Sequence, residues 1–331
     1  MLVIVISMPL LFAACPKNAP PQRPRATMST TTRPNTPAAH VVAAFNGERA
    51  MDHVRKQIEF GPRPPDSPQA IKTRAYIANE LKNSGWKVSL DEFTASTPHG
   101  EKKMANIVGE LAGETKTMLL LGSHYDTKYY KDMYFVGAND PAASVATLLE
   151  IGRVLGSMRE KPKVTYRLVF FDGEEAFCEG WSDCGDEDDP DNTYGSRHYV
   201  SQLRANNELE NTKALILLDM MGYKKLELGR DSLSTRWLQD IIWQTGRELG
   251  HEKIFVDRHE GIGGDDHEPF LRAGVDAVDL IQLNSYPYWH RADDTIDKVS
   301  SRSMKIVGDT VIASLPKIVD RITQELPEPK E

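Results

Sequence analysis

The chain has 331 residues, of which 40% are apolar, so it is long enough to bury the core of one large α/β domain or two small ones. Its formal net charge is -8, with 48 acidic against 40 basic side chains. This balance argues against a nucleic-acid-binding protein, since no strongly basic face is evident that would neutralise a row of phosphates. Length and composition instead favour a globular enzyme.

The first predicted element is an apolar leader. Residues 1–14 (MLVIVISMPLLFAA) are too few to span a membrane but match the apolar region of a signal segment. Together with Cys15 they resemble a bacterial lipobox, in which the cysteine is lipidated and becomes the mature N-terminus. Phe12 departs from the usual leucine, and the basic region that normally comes first is missing. The segment is therefore either the signal of an exported lipoprotein, periplasmic or in the cell envelope, or only a hydrophobic leader.

A polar tether is predicted next, at 16–40. It is rich in Pro, Ser, Thr and Ala and nearly free of large apolar residues, so it cannot bury enough surface to fold. If Cys15 is acylated, this segment would hold the enzyme away from the membrane. We expect one catalytic α/β domain at 41–331, because no second linker or internal repeat follows.

Helical and strand-like patterns then alternate along the chain. Helical periodicity recurs at 41–60, 67–84, 142–157, 194–205, 234–249 and 300–321. Strand-like runs lie at 86–93, 104–111, 117–125, 164–171, 213–221, 253–256 and 277–283. Several runs are apolar on both faces, as in strands covered by helices on each side. The prediction is a three-layer αβα sandwich with a mixed, mostly parallel central sheet.

Polar side chains follow several of these predicted strands. His124 follows LLLGS, Glu174 and Glu175 follow RLVFFDG, Asp219 follows ALILL, and His290 follows DLIQLNSYPYW. In open α/β sheets, ligands bind beyond the carboxyl ends of the strands. We therefore expect these five side chains to converge on one site.

The residue types at this predicted site suit zinc. Histidine nitrogen and carboxylate oxygen are zinc ligands, and a catalytic zinc keeps one coordination position open. Asp140, Glu175 and His290 would supply three ligands, while Glu174 would carry protons beside them. Taken singly, Asp140 is equally well explained as a helix N-cap, and His290 as a half-buried histidine among aromatic residues.

Seven segments carry a resemblance to a known family. They are GSHYDTKYY (122–130), VGANDPAAS (136–144), FFDGEEAF (170–177), YGSRHYV (194–200), LLDMMG (217–222), DDHEPFLRAGV (265–275) and YPYWHRADD (286–294). They resemble the animal-type (type II) glutaminyl-peptide cyclotransferases over about 45–320. That family shares its fold with the zinc aminopeptidases.

The resemblance implies one catalytic zinc and a set of residue roles. Asp140, Glu175 and His290 would hold the ion. The implied catalytic residues are Glu174, as the proton shuttle, with Asp219 and Asp265 hydrogen-bonded around it. The implied substrate-binding residues are Trp289 and Trp181. The substrate would be the N-terminal glutamine of a peptide or protein, whose α-amine attacks its own γ-amide carbon and expels ammonia.

Three places depart from the family pattern or stay open. CEGWSDC carries an extra residue that puts the orientation of Trp181 in doubt. Asp279 stands where the family usually has histidine, and we expect its carboxylate to be satisfied by the backbone or a nearby arginine. Cys178 and Cys184 either form a small disulfide or remain unpaired and buried.

Two other functions remain open. In a dinuclear zinc aminopeptidase, His124 and Asp219 would bind a second ion, Asp140 would bridge the two, and Glu174 would activate water. A non-catalytic binding ectodomain would use the same fold as a surface, although here no metal ligand is missing. We expect a monomer that contacts a membrane only through a lipid anchor at Cys15.

Overall fold

A six-stranded sheet organises the computed structural model, which describes residues 43–324. Its strands are β1 (Lys87–Thr97), β2 (Gly100–Leu111), β3 (Met118–His124), β4 (Thr165–Phe171), β5 (Thr212–Asp219) and β8 (Asp276–Ile281). A separate two-stranded sheet contains β6 (Leu228–Asp231) and β7 (Phe255–Glu260). The helices are α1 (Gly47–Phe60), α2 (Pro68–Asn83), α3 (Ser144–Gly156), α4 (Tyr194–Ala205), α5 (Arg236–Glu248), α6 (Glu268–Arg272) and α7 (Ser301–Gln324).

The sheet has the order β1-β2-β4-β3-β5-β8. β4, β3, β5 and β8 are parallel, whereas β1 and β2 form an antiparallel hairpin that pairs with β4 at one edge. The predicted mixed, mostly parallel sheet is confirmed. Parallel strands place their carboxyl ends at one edge, which is where the polar residues lie.

Both faces of the sheet are covered. In β3, Leu119 and Leu121 pack into the larger core, which includes apolar residues of α1, α2, α3, α5 and α7. Met118 and Leu120 point to the other face and pack with residues of α4 and α6. This alternation follows from the two-residue period of a strand, so the predicted three-layer sandwich is confirmed.

Some element boundaries differ from the predicted ones. α1 begins at Gly47 rather than at 41, because the Asn46 side chain accepts the first free N–H groups of the helix. β7 begins near the end of the predicted strand at 253–256 and extends beyond it. β6 and α6 were not predicted, since four and five residues are too short to show a period.

The predicted leader at 1–15 and the tether at 16–40 lie outside the described residues, so they stay predictions. Within 43–324, no helix combines the length and apolar character needed to cross a membrane.

Candidate active site

A pocket of about 280 Å³ opens beyond the carboxyl ends of the parallel strands. The site residues predicted from the sequence that line it are Asp140, Glu174, Glu175, Trp181, Asp219, Asp265, Trp289 and His290. His124 lies behind this lining and contacts three of these carboxylates, those of Asp140, Glu174 and Asp219. The expected convergence on one site is therefore observed.

One group of ligand atoms faces the pocket, and we call Asp140, Glu175 and His290 the outer set. His290 Nε2 lies 3.0 Å from Glu175 Oε2 and 3.6 Å from Asp140 Oδ2. One ligand atom from each residue lies within 4.8 Å of the others. Burial disfavours the charged imidazolium, but Glu175 and Asp140 outweigh it and raise the pKa of His290. Two carboxylates and an imidazole form a donor set that suits zinc.

A second group shares Asp140 with the first, and we call His124, Asp140 and Asp219 the inner set. His124 Nε2 lies 3.2 Å from Asp140 Oδ1 and 3.2 Å from Asp219 Oδ1. Its three ligand atoms also lie within 4.8 Å of one another, and all three residues are buried. Asp140 therefore uses one oxygen toward each set. This arrangement has the ligands of both the one-zinc and the two-zinc mechanisms.

Asp140 is held by its backbone rather than by a helix. It lies in an irregular turn, Ala138–Ala143, with extended φ and ψ of -114° and 94°. The carboxylate of Asp294 accepts the N–H of Asp140 at 3.0 Å and that of Asn139 at 2.9 Å. α3 begins later, at Ser144, with no side-chain cap, so the N-cap explanation of Asp140 is wrong.

Two supporting residues of the site were not identified from the sequence. Asp126 accepts the N–H groups of Glu174 and Glu175, at 3.1 and 3.3 Å. Asp294 holds the turn of Asp140 and also accepts the Tyr286 hydroxyl at 2.6 Å. The only available signal for Asp126 was its place two residues after a predicted ligand. Nothing local marked Asp294, since its role depends on a contact across more than 150 positions of the chain.

Glu174 is buried beside the outer set. Its Oε2 lies 3.6 Å from His124 Nδ1. Burial raises the pKa of Glu174 well above its usual value, with His124 opposing and Glu175 and Asp265 adding to the rise. Burial likewise raises the pKa of Asp219 to about 7, although His124 opposes it. A carboxyl with a raised pKa can both give and take a proton near neutral pH.

Two tryptophans form the wall of the pocket. Trp289 is 41% exposed and stacks on His290, with ring centroids 4.3 Å apart. Trp181 lines the same pocket, so the extra residue in its loop does not remove it. That loop is closed by a disulfide between Cys178 and Cys184, which answers the question left open by the sequence.

The expectation for Asp279 is wrong. Both of its carboxylate oxygens are buried, and neither accepts a hydrogen bond from the backbone or from an arginine; the side chain pairs with that of Asp265 instead. Its position on β8, a strand at the end of the parallel series, turns the side chain toward Asp265 and His267, and one ligand atom of each lies within 4.8 Å of the others. Acidic and imidazole groups therefore surround it instead of the expected donors.

Comparisons with known proteins agree with this geometry. The model of Peptidase family M28 matches residues 106–315. A glutaminyl-peptide cyclotransferase from Bos taurus is 34% identical over 265 residues, which cover 70% of this chain and 72% of the relative. Another from Dictyostelium discoideum is 29% identical over 80% of this chain and 86% of the relative.

Solved structures show the same fold. The crystal structure of an Acidobacteriales bacterium glutaminyl cyclase has a TM-score of 0.78 at 35% identity, covering 86% of this chain and 99% of that one. A leucine aminopeptidase precursor from Bacteroides thetaiotaomicron has a TM-score of 0.76 at 26% identity, covering 83% of this chain and 98% of that one.

Proposed function

We propose, since the chain belongs to Peptidase family M28 and within it to the glutaminyl-peptide cyclotransferases, that it converts N-terminal glutamine of peptides to pyroglutamate and releases ammonia. The observation that carries this proposal is the outer set, which opens on the pocket with the buried Glu174 carboxyl beside it.

The outer set fits a zinc ion in donor type and spacing. Asp140, Glu175 and His290 would hold it, and these are nitrogen and oxygen donors close enough together to share one ion. When bound, zinc acts as a Lewis acid that polarises an amide carbonyl.

The protein's own residues would move the protons. The substrate α-nitrogen forms a bond to its γ-amide carbon, the bond from that carbon to the amide nitrogen breaks, and ammonia leaves. Glu174 would take a proton from the α-amine and return one to the departing nitrogen, so no net proton is consumed. Asp219 and Asp265 would position the shuttle and the leaving group by hydrogen bonds, since both line the same pocket.

The tryptophan wall would favour cyclisation over hydrolysis. Trp289 is exposed enough to stack on the small substrate, and Trp181 lines the same pocket. If the wall excludes water from the γ-amide carbon, the α-amine of the same substrate is the nucleophile that attacks it.

We propose one catalytic ion rather than two. All three residues of the outer set line the pocket, whereas His124 of the inner set is 2% exposed and lies behind that lining. A substrate carbonyl therefore reaches an ion held by the outer set, and the His124 imidazole is left to pair with Asp140 and Asp219.

Export is part of the same proposal. The Cys178–Cys184 disulfide supports an oxidising compartment, where such bonds persist. With the apolar leader and Cys15, it supports a periplasmic or cell-envelope lipoprotein. That the enzyme acts on peptide N-termini as a monomer is a further part of the proposal.

The deciding experiment mixes purified enzyme with a glutamine-initiated and, separately, a leucine-initiated dipeptide. We expect ammonia release with ring closure from the first and no cleavage of the second, above the spontaneous rate in enzyme-free buffer. The second candidate function is aminopeptidase, favoured by the intact inner set. Cleavage of the leucine dipeptide, with an ion located in the inner set by anomalous diffraction, would replace the cyclase proposal.

A further inference from the structure

We propose that a groove beside the pocket binds the peptide residues that follow the N-terminal glutamine of the substrate. We call this cleft, of about 530 Å³, the side groove. It lies between the loop closed by the disulfide, which contributes Trp181 and Ser182, and the helices α4 and α6, which contribute Arg204 and Pro269. The inference rests on the proposed function, because it extends the substrate site beyond the glutamine.

The side groove and the pocket meet at a shared boundary. Trp181, Ser182 and Gly263 line both cavities, whereas the residues of the outer set line the pocket alone. The boundary thus lies at the Trp181 end of the pocket and not among the metal ligands. A peptide that leaves the pocket past Trp181 therefore enters the side groove directly.

The chemistry of the reaction decides which part of the substrate leaves the pocket. The α-amine attacks the γ-amide carbon, so both groups must lie beside Glu174 and the outer set. The α-carbonyl takes no part in ring closure and carries the rest of the peptide. At about 280 Å³ the pocket is at the lower limit of ligand clefts, which span about 300–1,000 Å³, whereas the side groove lies within that range. The pocket therefore suits the glutamine alone, and the residues after it need a second cavity.

Main-chain groups at the boundary are free to bind a peptide. In the described part of the chain, neither Ile262 nor Gly263 forms a hydrogen bond with another residue through its N–H or its carbonyl group. A Cβ at Gly263 would have no atom within 4 Å, so the backbone is open on that side. Hydrogen bonds to the main chain of a bound peptide form whatever its side chains are. We therefore expect the side groove to recognise an extended main chain rather than one residue type.

The walls of the side groove are held in place by the protein itself. The disulfide closes the loop that carries Trp181, and Asn192 Nδ2 donates to the Trp181 carbonyl at 3.0 Å. Arg197, on α4, donates to the carbonyl of Pro190 at 2.8 Å and so ties the segment after the disulfide to that helix. A groove that is already formed loses little conformational freedom when a peptide binds. Contacts in it therefore contribute to affinity.

The length of the substrate tests the inference in the wild-type enzyme. A dipeptide amide and a tetrapeptide amide, each with glutamine first and alanine elsewhere, carry the same terminal charges. We expect kcat/KM to be about tenfold higher for the tetrapeptide, mainly through a lower KM, because contacts away from the reacting atoms add binding energy. Equal values would overturn the inference and leave the proposed function standing. If neither peptide is cyclised, the proposed function falls and this inference falls with it.

A matched pair of variants tests the location. Ala273→Trp fills the side groove from the end of α6, where Ala273 is half-buried and lines it. Ala205→Trp is the control, since Ala205 is exposed at the end of α4 and lines neither cavity. The ratio of kcat/KM for the tetrapeptide to that for the dipeptide should fall to about one in Ala273→Trp and keep its wild-type value in Ala205→Trp. An unchanged ratio in Ala273→Trp would contradict the proposal, and the wild-type peptide pair decides it if Ala273→Trp fails to fold.

Discussion

The inner and outer sets share Asp140 and use the same side-chain types, yet they differ in access. The His290 side chain of the outer set is 15% exposed, whereas that of His124 in the inner set is 2% exposed. The outer set opens on the pocket beside Trp289, and His124 lies behind the pocket lining. Asp140 and Asp219 of the inner set line the pocket but His124 does not, so a substrate carbonyl reaches the outer set more directly, and His124 is better placed to balance charge.

The two sets also differ in their support. His124 and Asp219 of the inner set are the last residues of β3 and β5, two hydrogen-bonded neighbours in the sheet. Glu175 and His290 of the outer set lie in loops, and His290 has a positive φ of 55°. His124 and Asp219 are thus fixed by the sheet, whereas Glu175 and His290 depend on supporting contacts such as the hydrogen bond from the N–H of Glu175 to Asp126.

The largest effect is expected from Glu175→Gln, which removes a charged ligand from the outer set alone. Turnover should fall by about 10³-fold, because the several kcal/mol of carbonyl polarisation by the metal are lost at about 1.4 kcal/mol per tenfold. Bound zinc should fall by one ion per chain, measured by elemental analysis. Glu187→Gln, on the exposed acidic loop, is the control. Normal activity in Glu175→Gln would show that the outer set does not hold the catalytic ion.

Glu174→Gln keeps the size of the side chain and removes its proton chemistry. We expect turnover to fall by 10²- to 10⁴-fold, since a general acid–base group contributes about that much. The zinc content should stay at the wild-type level, because Glu174 belongs to neither ligand set. Steady-state kinetics and metal analysis of the same preparation check both points. Loss of zinc in Glu174→Gln would show that Glu174 is a metal ligand and would add it to the outer set.

Much of this contrast was visible in the sequence, because strand ends can be read from apolar runs. His124 and Asp219 were expected at one edge of the sheet, and they end adjacent strands. The support of the outer set could not be predicted in the same way. Asp294 holds Asp140 from a loop far along the chain, and the buried carboxylate of Asp279 lies beside Asp265 and His267 only because the fold brings them together.

His124→Gln tests the inner set. If His124 balances charge, the variant should keep zinc at the outer set and lose only about tenfold in activity. It should also lose about 3 kcal/mol of unfolding free energy, because removing one partner of a buried ion pair leaves Asp140 and Asp219 uncompensated. Denaturant unfolding and anomalous diffraction measure the two quantities. Activity reduced as far as in Glu175→Gln, together with loss of an ion from the inner set, would favour the dinuclear mechanism.

The smallest expected effect is a loss of stability in acid that comes from a histidine outside both sets. His53, on α1, belongs to neither set, and its Nδ1 lies 2.5 Å from the Tyr76 hydroxyl. Burial lowers the pKa of His53 from 6.5 to about 4. Between these values the unfolded chain binds more protons than the folded one, so the free energy of unfolding falls as the pH falls.

At pH 5 this one group lowers the free energy of unfolding by about 2 kcal/mol relative to neutral pH. His53→Asn, which places a polar atom near the same hydroxyl but does not titrate, should therefore lose less stability than wild type between pH 7 and pH 5. Urea unfolding of both proteins at the two pH values measures this. An equal loss in both proteins would contradict the prediction and show that His53 does not cause the loss of stability between pH 7 and pH 5.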